Sequence, residues 1–153
     1  MRLAFGSDHA GYELRKALEA HATELRHDVV SLGATSKEPF DYPDASDLVA
    51  HEVLVGSADL GVLICGTGIG VSIRANRYKG IRAAVCCSTQ AAELARQHNH
   101  ANVLCLGARM TSDGAARQIL SMFLNTGEDH SERHERRVQE LDRDSRPSPD
   151  VEE

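Results

Sequence analysis

The chain has 153 residues, 41% of them hydrophobic, 26% charged and only 4% aromatic with no tryptophan, and its formal net charge is -6. That is one domain's worth of sequence with enough apolar material for a sizeable core, no apolar run near the roughly 20 residues that span a bilayer, and too little basic or aromatic surface for a nucleic-acid platform. Membrane and nucleic-acid partners are therefore excluded; Cys65, Cys86, Cys87 and Cys105 lack the paired spacing of a zinc site or a disulfide framework, so reduced thiols and a cytoplasmic location are expected.

In chain order, a strand pattern from Leu3 to Ser7 meets Asp8-His9-Ala10-Gly11 too early for a secretory leader. An amphipathic helix is predicted over Tyr12 to Arg26 and a strand over Val29 to Leu32, followed by a loop, Lys37 to Pro43, with Asp44 as cap of a helix reaching Val55. The loop is expected to border the site. Next come a strand from Leu60 to Cys65, the turn Gly66-Thr67-Gly68-Ile69-Gly70, and a helix over Ile69 to Arg77. The pattern continues with a strand over Ile81 to Cys86, a helix over Thr89 to His98 and a strand over Val103 to Leu106. Two helices follow, Ser112 to Leu124 and Ser131 to Asp142. This βα alternation implies an α/β chain, a three-layer α/β/α Rossmann-like fold with a five-stranded parallel sheet, whose ligands gather at the C-terminal strand ends. Residues 1–142 form a single domain in this reading, and the charged, proline-containing segment 143–153 is a tail too polar to order itself.

The glycine turn carries most of the chemical information. A strand feeding such a turn and then a helix directs backbone N–H groups and a helix dipole at one small volume, which favours an anion there and thiolate at the adjacent Cys65. The turn is not a Walker loop, because Val71-Ser72 stands where Lys-Ser or Lys-Thr is needed, and its glycines are too close for a dinucleotide fingerprint. A cysteine phosphatase needs an arginine about five residues past its nucleophile, and here the first is Arg74. Cys65 is a candidate base or nucleophile; the plainer alternative is a buried apolar cysteine beside a structural turn.

Other residues each admit two readings. Asp8 and His9 offer a carboxylate and an imidazole to the same strand edge, or Asp8 simply caps the first helix. His98 and Asn99 precede the fifth strand and belong at the opposite edge from Cys65; they close a helix, or they serve the Cys65 site of a second subunit in a symmetric dimer. Arg109 follows the fifth strand and can reach an anion or face solvent. Arg133 and Arg137 share a face of the last helix and suit a phosphate, unless they and Arg136 are spent on nearby Glu132, Glu135 and Glu140. Arg74 adds charge to the pocket or faces solvent.

Four motifs, Gly6 to Gly11, Asp41-Tyr42-Pro43-Asp44, Cys65 to Gly70 and His98-Asn99-His100 through Gly107, resemble the ribose-5-phosphate isomerase B family in order and spacing. The resemblance implies a metal-free, cofactor-free aldose-ketose isomerase of sugar phosphates, assembled as dimers or tetramers. It assigns Cys65 as the base between C2 and C1, Thr67 to the same oxygen as the turn, and His98 of a second subunit to ring opening. Asp8 and His9 contact the sugar, Gly66, Gly68, Ile69 and Gly70 form the anion hole, Asn99 binds substrate, and Arg109, Arg133 and Arg137 clamp phosphate. Many relatives have Asp or Asn at His100 and His-Asp at Cys87-Ser88. Ribose 5-phosphate is the expected substrate; the rivals are a tetrose or hexose phosphate, or a binding subunit without turnover.

Overall fold

A computed structural model describes residues 1–143. The segment 144–153, most of the expected tail, lies outside them. The elements run β1 (Arg2–Ser7), α1 (Tyr12–Glu24), β2 (Asp28–Gly33), α2 (Tyr42–Leu54), β3 (Leu60–Cys65), α3 (Ile69–Ala75), β4 (Ala83–Val85), α4 (Thr89–Asn99), β5 (Val103–Gly107), α5 (Asp113–Asn125) and α6 (Glu132–Asp142). All five strands are parallel, in the order β2-β1-β3-β5-β4, so β1 adjoins β3 as expected. No helix among the described residues is long and apolar enough to cross a membrane.

Alternation along the strands divides the core into two layers. Leu3 and Phe5, Leu60, Val62 and Ile64, and Leu104 and Leu106 pack with Leu18 of α1, Ala92 of α4 and Phe123 of α5. Ala4, Leu63 and Cys65, Val103 and Cys105 face the other way, with Val49 of α2 and Val71 of α3. Each fully buried Leu, Ile, Val or Phe contributes about 1.5–3 kcal/mol. On the α2 side small residues set the distance between layers: a Cβ on Gly6 or Gly61 would lie 2.6 Å from a methyl of Val49. Cys65 thus belongs to the layer on which α2 and α3 pack.

Several boundaries differ from expectation; α1, for one, ends at Glu24. α2 begins at Tyr42, with Asp41 in the cap position and Pro43 in the first turn; proline fits there because its missing N–H would have no helical acceptor. Asp44 is therefore a first-turn residue, not the cap. β4 is cut to three residues at a sheet edge, and α3 stops at Ala75.

Candidate active site

The parallel register pairs Ser7 with Ile64 and Cys65 with Gly107, so β1, β3 and β5 end at one edge of the sheet. The residues that follow each strand converge there. Asp8 accepts the Gly11 N–H at 2.9 Å, which makes it the cap of the turn into α1, and its own N–H donates to the Ile64 carbonyl at 3.3 Å. A Cβ on Gly11 would lie 2.5 Å from the same carbonyl, so only glycine lets this turn lie against the end of β3. Exposed His9 is held by the segment before α2, its Nδ1 3.2 Å from the Phe40 amide nitrogen.

Cys65 is 4% exposed, and its Sγ accepts the Gly68 N–H at 3.2 Å. Gly68 holds φ +79, a conformation that favours glycine, and a Cβ there would lie 2.9 Å from the Leu106 carbonyl carbon. Thr67 is exposed, with Oγ1 accepting the Ile69 N–H at 3.3 Å. α3 has only seven residues, so the turn's own N–H groups matter more than a dipole; that of Gly70, in the first turn, has no intrahelical acceptor. Arg109 joins this group. Its backbone N–H donates to the Gly66 carbonyl at 3.0 Å, and its guanidinium lies across Gly66, with Nη1 2.8 Å from where a Cβ would stand. Arg109 makes no ion pair among the described residues. Burial pushes the Cys86 thiol up to about 11 and raises Cys105 as well, with the neighbouring cysteines adding to each effect. Those two thiols stay protonated at neutral pH.

One residue of this edge had no role in the sequence reading beyond its motif. The ring of Tyr42 packs on Gly70, 2.8 Å from where a Cβ would lie, and the single Ser46 hydroxyl proton lies between the Tyr42 carbonyl, 3.0 Å from Oγ, and the Val71 carbonyl at 3.3 Å, tying α2 to α3. The expected border formed by the loop before α2 is this contact together with Phe40 on His9. Arg74 does not enter the site. Its guanidinium makes two bonds to Asp47 of α2, 2.6 and 3.0 Å, and lies over the Tyr78 ring, so it fastens α3 to α2. That hydrogen bond holds the Asp47 carboxyl below its ordinary value.

His98 and Asn99 lie elsewhere. They end α4, which leads to the start of β5 at Val103, the partner of Gly61 at the beginning of β3. The length of a six-residue strand, about 20 Å, separates that edge from the Cys65 turn. Asn99 borders a cavity of about 360 Å³ with Asn76, Arg82 and Leu141. The ring of His98 stacks on buried His134 of α6, centroids 4.3 Å apart and planes 9° from parallel. Burial lowers the pKa of His134, and the charges of His98, Arg133 and Arg137 add to this against the opposing Asp129. Among the described residues Arg133 and Arg137 form no ion pair, whereas Arg136 is taken by Glu140 at 3.1 Å. One chain therefore carries two groups: Asp8, His9, Cys65 to Gly70 and Arg109 at one edge, and His98, Asn99, Arg133 and Arg137 at the other.

Comparison with known proteins shows the family. The profile of the family described as Ribose/Galactose Isomerase matches residues 3–141. Ribose-5-phosphate isomerase B of Escherichia coli K12 is 41% identical over 140 residues, 92% of this chain and 93% of that protein. Among solved structures, a ribose 5-phosphate isomerase from Thermotoga maritima is similar at a TM-score of 0.90 and 43% identity, covering 92% of this chain and 97% of its own. Ribose 5-phosphate isomerase B from Anaplasma phagocytophilum has a TM-score of 0.86 and 48% identity, with coverages of 92% and 95%. The chain belongs to the ribose/galactose isomerase family.

Proposed function

We propose that this protein is a cytoplasmic homodimeric isomerase, or a tetramer built of such dimers, that interconverts ribose 5-phosphate and ribulose 5-phosphate, with each site shared between two subunits. The observation that carries the reading is the division of the polar residues into two groups about 20 Å apart within one chain. Neither group suffices alone: the Cys65 turn has donors and a sulfur but one arginine, and the α4 and α6 ends have two arginines and a histidine but no base near an oxyanion nest. A twofold axis that sets one group against its copy's other group completes two identical sites.

In the assembled site the Cys65 sulfur acts as the base: it takes the proton from C2 of the open-chain aldose, the hydroxyl proton of the resulting enediolate passes from O2 to O1, and the sulfur returns its proton to C1, so that atoms and electrons balance. The donors of Gly66 to Gly70 and the Thr67 hydroxyl receive the negative oxygen as it forms, each well-placed donor contributing about 2.7–4 kcal/mol. His98 of the partner subunit assists opening of the furanose, its ring held by the stack on the partner's His134. Asp8, His9 and Asn99 of the partner subunit hold the sugar hydroxyls, and Arg109 with the partner's Arg133 and Arg137 holds the phosphate.

The test is conversion of ribose 5-phosphate by the wild-type protein in chelator-treated buffer beside Cys65→Ala. Loss of a general base should lower the rate about 10²–10⁴-fold while substrate binding persists. Wild-type protein that converts no ribose 5-phosphate, or a Cys65→Ala variant that turns over normally, overturns the proposal.

A further inference from the structure

Away from the Cys65 turn, the segment joining α5 to α6 folds over the C-terminal end of α4 and gathers two histidines and two glutamates. His100 ends α4 with φ 47, and its ring is buried. Its Nε2 lies 3.0 Å from the Asp129 carbonyl oxygen. A carbonyl only accepts, so Nε2 is the proton-bearing nitrogen and Nδ1 is turned to the other side, 3.7 Å from Glu128 Oε2. Glu128 is itself fixed: Oε1 takes Arg96 Nη1 at 3.2 Å, leaving Oε2 to face His100 and, at 3.9 Å, Nε2 of His130. The His130 ring stands edge-on to His100, centroids 5.2 Å apart, and its Nδ1 lies 2.5 Å from Glu135 Oε1 in the first turn of α6. One ligand atom from each of His100, His130 and Glu135 lies within 4.8 Å of the other two.

We propose that His100, His130 and Glu135, with water as the fourth ligand, bind a divalent transition-metal ion of the zinc class at a site separate from the Cys65 turn. Two imidazoles and one carboxylate suit such an ion, whereas calcium and magnesium prefer oxygen alone. Donors about 2.0–2.2 Å from a tetrahedral centre lie roughly 3.3–3.6 Å from one another, so pairs near the 4.8 Å limit must close by about an ångström while His130 and Glu135, now 2.5 Å apart, move apart. The side chains that must move are those free to do so: His130 and Glu135 are 68% and 39% exposed, against 6% for His100. His100 has the outer support typical of a ligating histidine, a carbonyl accepting from its far nitrogen.

The ion would act as a brace. His100 directly follows His98 and Asn99, and Glu135 lies between Arg133 and Arg137, so coordination fastens the two segments carrying the second polar group without touching any of those four side chains. The inference does not depend on which reaction Cys65 performs, because its readout is binding.

The full-length protein, stripped with chelator, is titrated with Co²⁺ while visible absorption is recorded, and then with Zn²⁺ in competition. The expected result is one ion per chain, ligand-field bands without a thiolate-to-cobalt charge-transfer band, and affinity weakened at least about 10-fold in both His130→Gln and Glu135→Gln, a loss that even outer-shell changes can bring. Both positions lie at the surface, and far-ultraviolet circular dichroism checks that the variants fold. Absence of saturable binding, a thiolate band that assigns the ion to a cysteine, or undiminished affinity in either variant overturns the proposal.

Discussion

Replacing Gly107 by alanine should damage the Cys65 turn without altering any side chain in it. Gly107 ends β5 as the register partner of Cys65. A methyl at this position would lie 2.6 Å from both the carbonyl carbon and the oxygen of Thr67, and 2.8 Å from its Cα. Ordinary contact begins at 3.4 Å, so the turn must retreat by roughly 0.8 Å, and no rotamer change relieves a clash with backbone. Overpacking of this kind costs about 1–3 kcal/mol. A shift approaching 1 Å at a reacting group costs about 100-fold in rate. Urea unfolding followed by circular dichroism reads the first effect, and isomerisation of ribose 5-phosphate at saturating substrate reads the second. Gly114→Ala is the control: a Cβ there meets nothing within 4 Å, so stability should hold or rise by up to about 1 kcal/mol with the rate unchanged. A Gly107→Ala protein within about 0.5 kcal/mol and twofold in rate of wild type would refute the claim that β5 sets the position of the turn.

Alkylation of the native protein with iodoacetamide at neutral pH should modify exposed Cys87 first, because burial keeps Cys86 and Cys105 both covered and protonated; peptide mass spectrometry that found either labelled ahead of Cys87 would contradict this. The Arg74–Asp47 pair supplies a pH signature. Arg74 holds the folded-state pKa of Asp47 below its ordinary 3.8, so the pair's contribution is present above that value and is lost as pH falls through the lowered one. Asp47→Asn should therefore unfold at lower urea than wild type at neutral pH, with the difference vanishing in acid; a difference that grew on acidification would reverse the sign and exclude the mechanism. The pair is partly exposed and screened by salt, so the shift should also shrink in concentrated sodium chloride.

The sheet and the Cys65 turn were legible because their signals are local: strand-length runs such as Leu60 to Cys65, then three glycines in a tight strand-to-helix turn. Gly68 lies against the Leu106 backbone, and Gly66 and Gly70 lie against the Arg109 guanidinium and the Tyr42 ring, which gives those glycines a steric reason. The start of α2 was misread because aspartate is a good cap, while Pro43 is also acceptable inside a first turn. Arg74 could not be read, since its partner Asp47 lies 27 residues earlier on a helix that packs against α3 only in the folded chain. The stack of His98 on His134 and the contact of Tyr42 with Gly70 are tertiary in the same sense: their motifs were visible, but which side chains met was not. The order β5 before β4 at the sheet edge likewise depends on a crossover that no local pattern encodes.

The shared site is tested most directly by complementation. Cys65→Ala and His98→Ala each disable a different group, so each homodimer should be inactive for want of one residue in every site. When the two variants are unfolded together and refolded as a mixture, about half the dimers are mixed, and each mixed dimer holds one intact site, so activity should return to about one quarter of the wild-type value. A mixture as inactive as its components would mean that Cys65 and His98 do not meet across subunits, and the central claim would fail.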